Sequence, residues 1–145
     1  MGVYDARYAP LIGEALARLG AERAMVVHGR DGMDEISTTA PTLVVEVRDG
    51  RVSSSELALS ELGVAPAQIE DLIARDLDDA ARMVREVITG RPGPAADIAI
   101  VNAGAALLVG GAAEDLRGGI AMAREAIESG AAARTLESLA RLSQA

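Results

Sequence analysis

Residues 24–35, Ala24-Met25-Val26-Val27-His28-Gly29-Arg30-Asp31-Gly32-Met33-Asp34-Glu35, run from a short apolar segment straight into an acidic, glycine-containing loop. The apolar part is too brief for a helix and stops at Gly29, so it predicts a buried strand. Just upstream, Leu11, Ile12, Ala15, Leu16 and Leu19 recur at helical spacing over 8–19, and Gly20 supplies the stop. A helix, a glycine turn and a buried strand together point to an α/β layered fold. In open α/β sheets, ligands gather beyond the carboxyl ends of strands. The loop from Gly29 to Glu35 is therefore the segment to read for chemistry.

Working outward, 42–47 is rich in β-branched residues, and Asp49-Gly50 is a two-residue hairpin signal. Residues 51–57 then read as the returning antiparallel strand. Pro66 opens a predicted short helix to about residue 75, and a second helix over 77–89 ends at Gly90. Arg91-Pro92-Gly93-Pro94 is a turn. Residues 95–109 contain Ile98-Ala99-Ile100-Val101, which alone would suit a strand, but the length of the run, its alanine content and Pro94 at its start favour a helix. Helices over 114–129 and 132–142, broken at Gly130, complete the reading. The expectation is a single α/β domain over 1–145. It has few strands, one pair of them a hairpin, flanked by about six helices. That sheet is thin for so many helices, as though the rest of it lay elsewhere.

Composition narrows the function. The chain has net charge -8, no Cys, Lys, Phe or Trp, and only Tyr4 and Tyr8 as aromatics. Its core must be aliphatic. The arginines are scattered among acids, as in Asp79, Arg82, Arg85 and Glu86, so no basic cluster is available to displace phosphate counterions from a nucleic acid. Lack of cysteine rules out disulfides and thiolate zinc sites. No secretory core and no apolar run of spanning length is evident, so a cytoplasmic protein without a membrane partner is expected.

The chemistry concentrates at Asp34 and Glu35, with Asp31 three residues earlier. Buried charge is costly unless paired, and adjacent carboxylates at a strand end suit a hard divalent ion. Mg2+ fits best, since it keeps several waters and takes one or two carboxylates plus substrate phosphate oxygens. By spacing alone, a solvated acidic loop or a helix-capping Asp is the favoured reading over a metal site. His28, the only histidine, sits at the end of a buried strand and reads as a structural histidine donating to backbone rather than as a base. Asn102, inside an apolar helix, reads as a satisfied amide.

The stretch Val26-Val27-His28-Gly29-Arg30-Asp31-Gly32-Met33-Asp34-Glu35-Ile36-Ser37 closely resembles the HG-x-DG-(L/M)-DE-(I/L)-S signature of anthranilate phosphoribosyltransferases. Gly2-Val3-Tyr4-Asp5 is similar to the segment that opens this region in the family. Thr39-Ala40-Pro41-Thr42 resembles its TGPT turn, and Asn102-Ala103-Gly104-Ala105-Ala106-Leu107 its LNAAAAL helix. The stretches from Gly119 to Ala123 and from Ile127 to Ala132 resemble its closing segment. The resemblance implies a partial nucleoside-phosphorylase/phosphoribosyltransferase-type α/β domain, the C-terminal part of a pentosyltransferase. That enzyme moves phosphoribosyl from phosphoribosyl diphosphate to the amino group of anthranilate, in tryptophan biosynthesis. It further implies that Asp34 and Glu35 coordinate Mg2+ bridging to the diphosphate. No catalytic residue follows from it, and His28 receives no catalytic role.

The departures set a second group of expectations. The family's GTGGD-type loop, its KHGNR-type motif and the helical region through which it dimerises would all belong to a half preceding Met1. Where the family carries a GGD-AxxNA segment, this chain has Ala74-Arg75-Asp76-Leu77-Asp78-Asp79-Ala80-Ala81. The chain by itself is accordingly expected to be inactive, and to form a homo-oligomer through an unpaired sheet edge. The alternative is a non-catalytic α/β half-domain that binds Mg2+ or associates with itself. A pyrimidine nucleoside phosphorylase relative is disfavoured by the DGMDE run.

Overall fold

The computed structural model describes residues 1–143. The chain runs α1 (Tyr8–Arg18), β1 (Arg23–Gly29), β2 (Thr42–Arg48), β3 (Arg51–Leu57), α2 (Leu77–Ile88), α3 (Pro94–Val109), α4 (Leu116–Glu128) and α5 (Ala131–Leu142). The strands form one antiparallel sheet with β2 in the centre, in a register that sets Val26 opposite Val45 and Val45 opposite Ser54. Successive valines of β2 point to opposite faces. Val45 joins Val26, Val3 and Ala9 beneath α1, with Ile12 and Leu16 alongside. Val44 joins Val27, Ile36, Ile100, Val101 and Ile120 under α3 and α4. Each of these valines and isoleucines contributes about 1.5–3 kcal/mol when fully buried. The result is a sheet with one helix on one face and a helical pair on the other.

The β2–β3 hairpin forms where Asp49-Gly50 predicts it, and both residues take the left-handed conformation, at φ 50 and 73. That is the backbone a two-residue turn needs to match strand twist. β3 is an edge strand, exposed along nearly its whole length. At the other edge, the sheet is longer than the sequence suggests. Gly2 bridges Val27 in parallel, with Val3 N–H donating to the Val27 carbonyl at 3.0 Å and Val27 N–H to the Met1 carbonyl at 2.9 Å.

Helix 95–109 is helical as expected, with Pro94 in its first turn, where a missing N–H costs nothing. Its crossing with α4 is close enough to exclude any side chain. A Cβ on Gly119 would lie 2.2 Å from the Gly104 carbonyl oxygen, and one on Gly104 would lie 2.6 Å from the Ile120 nitrogen. The expected helix over 66–75 does not form. The segment instead makes a single 3-10 turn at Ile69–Leu72, with another at Leu59–Glu61. Ala67 N–H donates to the Thr38 carbonyl at 2.9 Å, which ties the start of the segment to a distant loop. Gln68 and Ile73 are extended on either side, and the Asp71 carboxylate closes the turn on Gln68 N–H. Five α-helices therefore stand among the described residues, not six. No helix there is long and apolar enough to cross a membrane.

Candidate functional site

The loop between β1 and β2 leaves the carboxyl end of β1 and is tied into a knot by Asp31. The Asp31 carboxylate accepts hydrogen bonds from Ser37 Oγ at 2.6 Å, from Thr39 Oγ1 and from Met33 N–H at 3.2 Å. Ser37 Oγ in turn accepts from the Thr39 and Ala40 amides, at 2.9 and 3.1 Å. Gly29 N–H reaches the Met33 carbonyl at 2.8 Å, and Gly32 makes the tight bend at φ 96. Partial burial opposes the charge on Asp31. The Ser37 and Thr39 hydroxyls and the Met33 amide outweigh it, holding the carboxyl below its ordinary pKa. Asp31 is therefore committed to the loop's own architecture and is not a free ligand beside Asp34 and Glu35.

Asp34 and Glu35 are exposed and enter no ion pair among the described residues. Both line a cavity of about 580 Å3, whose wall includes Met25, Val27, Ile36 and Asn102. Two contacts fix the backbone that carries them. Gly2 lies against the Asp34 carbonyl so closely that a Cβ there would fall 1.3 Å from its oxygen. On the far side, Asn102 of α3 grips Ile36. Its Oδ1 accepts from Ile36 N–H at 2.9 Å, and its Nδ2 donates to the Ile36 carbonyl at 2.9 Å and to the Ile98 carbonyl at 3.0 Å. Asn102 is satisfied, as its sequence suggests; what no local pattern signals is that its partner is the residue after Glu35.

His28 makes the backbone contact expected of a structural histidine. Its Nδ1 lies 2.8 Å from the Val3 carbonyl, which can only accept, so Nδ1 carries the proton. The segment 74–81 builds the start of α2. Asp76 caps it by accepting from Asp79 N–H at 2.8 Å, and the buried Asp79 carboxylate accepts from Arg75 and Arg82. The Arg75 side chain and backbone, and then Arg82, hold Asp79 far below the usual carboxylate range. None of 74–81 lines the Asp34–Glu35 cavity. Asp79 instead faces a separate hollow of about 250 Å3 near the start of α3.

Two adjacent, unpaired carboxylates on a pinned loop at a cavity rim can offer oxygens to a hard cation. Among the described residues no third His, Cys, Asp or Glu joins them. The rest of a coordination shell would come from water or a ligand, which is how Mg2+ is ordinarily held.

The chain also has clear relatives among known proteins. The chain is 44% identical over 144 residues to the anthranilate phosphoribosyltransferase of Desulfatibacillum aliphaticivorans, covering 99% of this chain and 43% of that protein. It is 48% identical over 136 residues to the enzyme of the same name from Rhodospirillum rubrum, covering 94% of this chain and 39% of that one. Among solved structures, anthranilate phosphoribosyltransferase from Thermus thermophilus superposes with a TM-score of 0.88 at 34% identity, over 99% of this chain and 42% of that one. The Saccharomyces cerevisiae enzyme in complex with PRPP and Mg superposes with a TM-score of 0.82 at 26% identity, over 94% and 40%. The chain thus spans about two fifths of the length of these relatives. The family described as glycosyl transferase family, a/b domain, matches residues 1–133. With its whole sheet, its acidic loop and α1 to α4 inside that match, the chain belongs to the glycosyl transferase family through its a/b domain.

Proposed function

We propose that this chain supplies the Mg2+-holding side of an anthranilate phosphoribosyltransferase, with Asp34 and Glu35 as the metal ligands. In that reaction phosphoribosyl passes from phosphoribosyl diphosphate to the amino group of anthranilate, a step of tryptophan biosynthesis placed in the cytoplasm. One observation carries the reading: among the described residues, Asp34 and Glu35 stand free of cationic partners on a pinned loop at the rim of a cavity, beyond the carboxyl end of β1. A bound Mg2+ would neutralise negative charge developing on the diphosphate leaving group. The protein's part is to hold two carboxylates toward the cavity, with Asp31 and Ser37 fixing the loop on one side and Asn102 on the other. Solved relatives bound to Mg, to PRPP and Mg, and to 4-fluoroanthranilate support the choice of cation and substrates.

The chain corresponds to part of such an enzyme, so the test separates binding from turnover. Titration calorimetry with Mg2+, and with Mn2+ as a spectroscopic probe, should detect binding that Asp34→Asn combined with Glu35→Gln abolishes. Binding that persists in the double variant would refute the site. Loss of anthranilate fluorescence, followed with phosphoribosyl diphosphate and Mg2+, should be negligible for this chain and restored when a separately produced preceding half of a relative is added. Full turnover by the chain alone would overturn the division of labour.

A further inference from the structure

We infer that Asn102 is a positioning residue for the Asp34–Glu35 pair: it fixes the acids by clamping both backbone groups of Ile36. This rests on the proposed metal role of the pair, but its geometry is independent of that role. A single carboxamide serves the N–H and the C=O of one loop residue, at 2.9 Å each, from 66 positions away in sequence. The third bond, to the Ile98 carbonyl on its own helix, sets the rotamer of the amide. Its Nδ2 and Oδ1 ends are then assigned by their partners, since an N–H cannot accept and a carbonyl cannot donate.

Ile36 is the hinge on which this matters. Its side chain is 1% exposed and packs in the core with Val27, Val44 and Ile100, while the residue before it is the exposed Glu35. The chain therefore passes from buried to solvent-facing in one step, and the two backbone groups at that step have no strand or helix to satisfy them. Unpaired, they would draw the loop toward water. Paired to Asn102, they hold Ile36 inward and fix the direction in which Glu35 and Asp34 emerge. Outer-shell groups that orient metal-binding carboxylates commonly change metal affinity about 10–100-fold when removed.

The test uses the whole chain with Asn102→Ala, and with Asn102→Leu as a near-isosteric variant that keeps the packing of α3. Amide hydrogen exchange is read at Glu35 and Ile36, with Val45 and Val47 of the central strand as reporters of global stability. Mn2+ affinity is measured alongside. The expected result is exchange at Ile36 about tenfold faster with the strand amides unchanged, and Mn2+ binding weaker by about tenfold or more. Unaltered Ile36 exchange would overturn the clamp. So would a rise at Val45 and Val47 in step with Ile36, which marks an ordinary core contribution. Should Asp34→Asn with Glu35→Gln leave Mn2+ binding untouched, the metal reading fails by itself. The exchange at Glu35 and Ile36 then decides the positioning role alone.

Discussion

Gly118 and Gly119 are neighbours in sequence, yet replacing each with alanine should move stability in opposite directions. A Cβ on Gly119 meets the Gly104 carbonyl oxygen at 2.2 Å, its carbon at 2.9 Å and its Cα at 3.1 Å. All three are backbone atoms of the facing helix, so no side chain can swing aside and α3 and α4 must separate by about an ångström to restore ordinary contact. Overpacking of this kind costs about 1–3 kcal/mol, and the higher helix propensity of alanine returns at most about 1 kcal/mol. Because the obstruction is rigid, Gly119→Ala should be destabilised by about 2 kcal/mol, lowering Tm by about 5–8 °C. A Cβ on Gly118 meets only Asp115 Oδ1 at 3.4 Å and Ala113 Cβ at 4.0 Å, both ordinary contacts. There the propensity gain stands unopposed, from a few tenths up to about 1 kcal/mol. Thermal and urea unfolding followed by far-ultraviolet circular dichroism measures both. If Gly119→Ala melts at or above the parent, or if the two variants shift together, the backbone-to-backbone crossing is wrong.

Two further outcomes can be checked directly. Asp31 is held below its ordinary pKa, so the unfolded chain takes up a proton before the native loop does. Its contribution to stability should be fully present above about pH 4 and disappear as pH falls through the native value. Urea unfolding should accordingly show Asp31→Asn less stable than the parent at neutral pH, with the gap narrowing in acid, and a gap independent of pH would refute the linkage. The open edge of β3 should drive association of this chain with itself, seen by light scattering as a dimer or larger species at micromolar concentration. A sharp monomer across that range would count against it.

What could be read in advance divides by how far apart the interacting residues lie. The β1 strand, the Asp49-Gly50 turn and the helical choice for 95–109 depend on neighbours within a few residues, and all three form. The placement of the acidic loop at the end of β1 follows from the same local logic. The helix expected after Pro66 gives way to a 3-10 turn between extended Gln68 and Ile73, in a segment that Ala67 ties to the distant Thr38. Grouping Asp31 with the other two acids likewise overlooks Ser37 and Thr39, whose hydroxyls claim it. Neither the Asn102–Ile36 clamp nor the approach of Gly2 to Asp34 has a sequence signature, since each joins stretches that only tertiary packing brings together.

The anchoring of the acidic loop at Gly2, Ser37 and Asn102 has a bearing on ion choice. A support drawn from within the loop and from two remote places, Gly2 and Asn102, is assembled during folding, so little ordering is left to be done when a solute arrives, and preorganisation of this sort favours tight capture. It also limits adaptability. An ion as large as Ca2+ looks for six to eight oxygens at about 2.3–2.6 Å and usually finds them in compliant loops. A stiff rim presenting two carboxylates suits a smaller ion that travels with its own hydration.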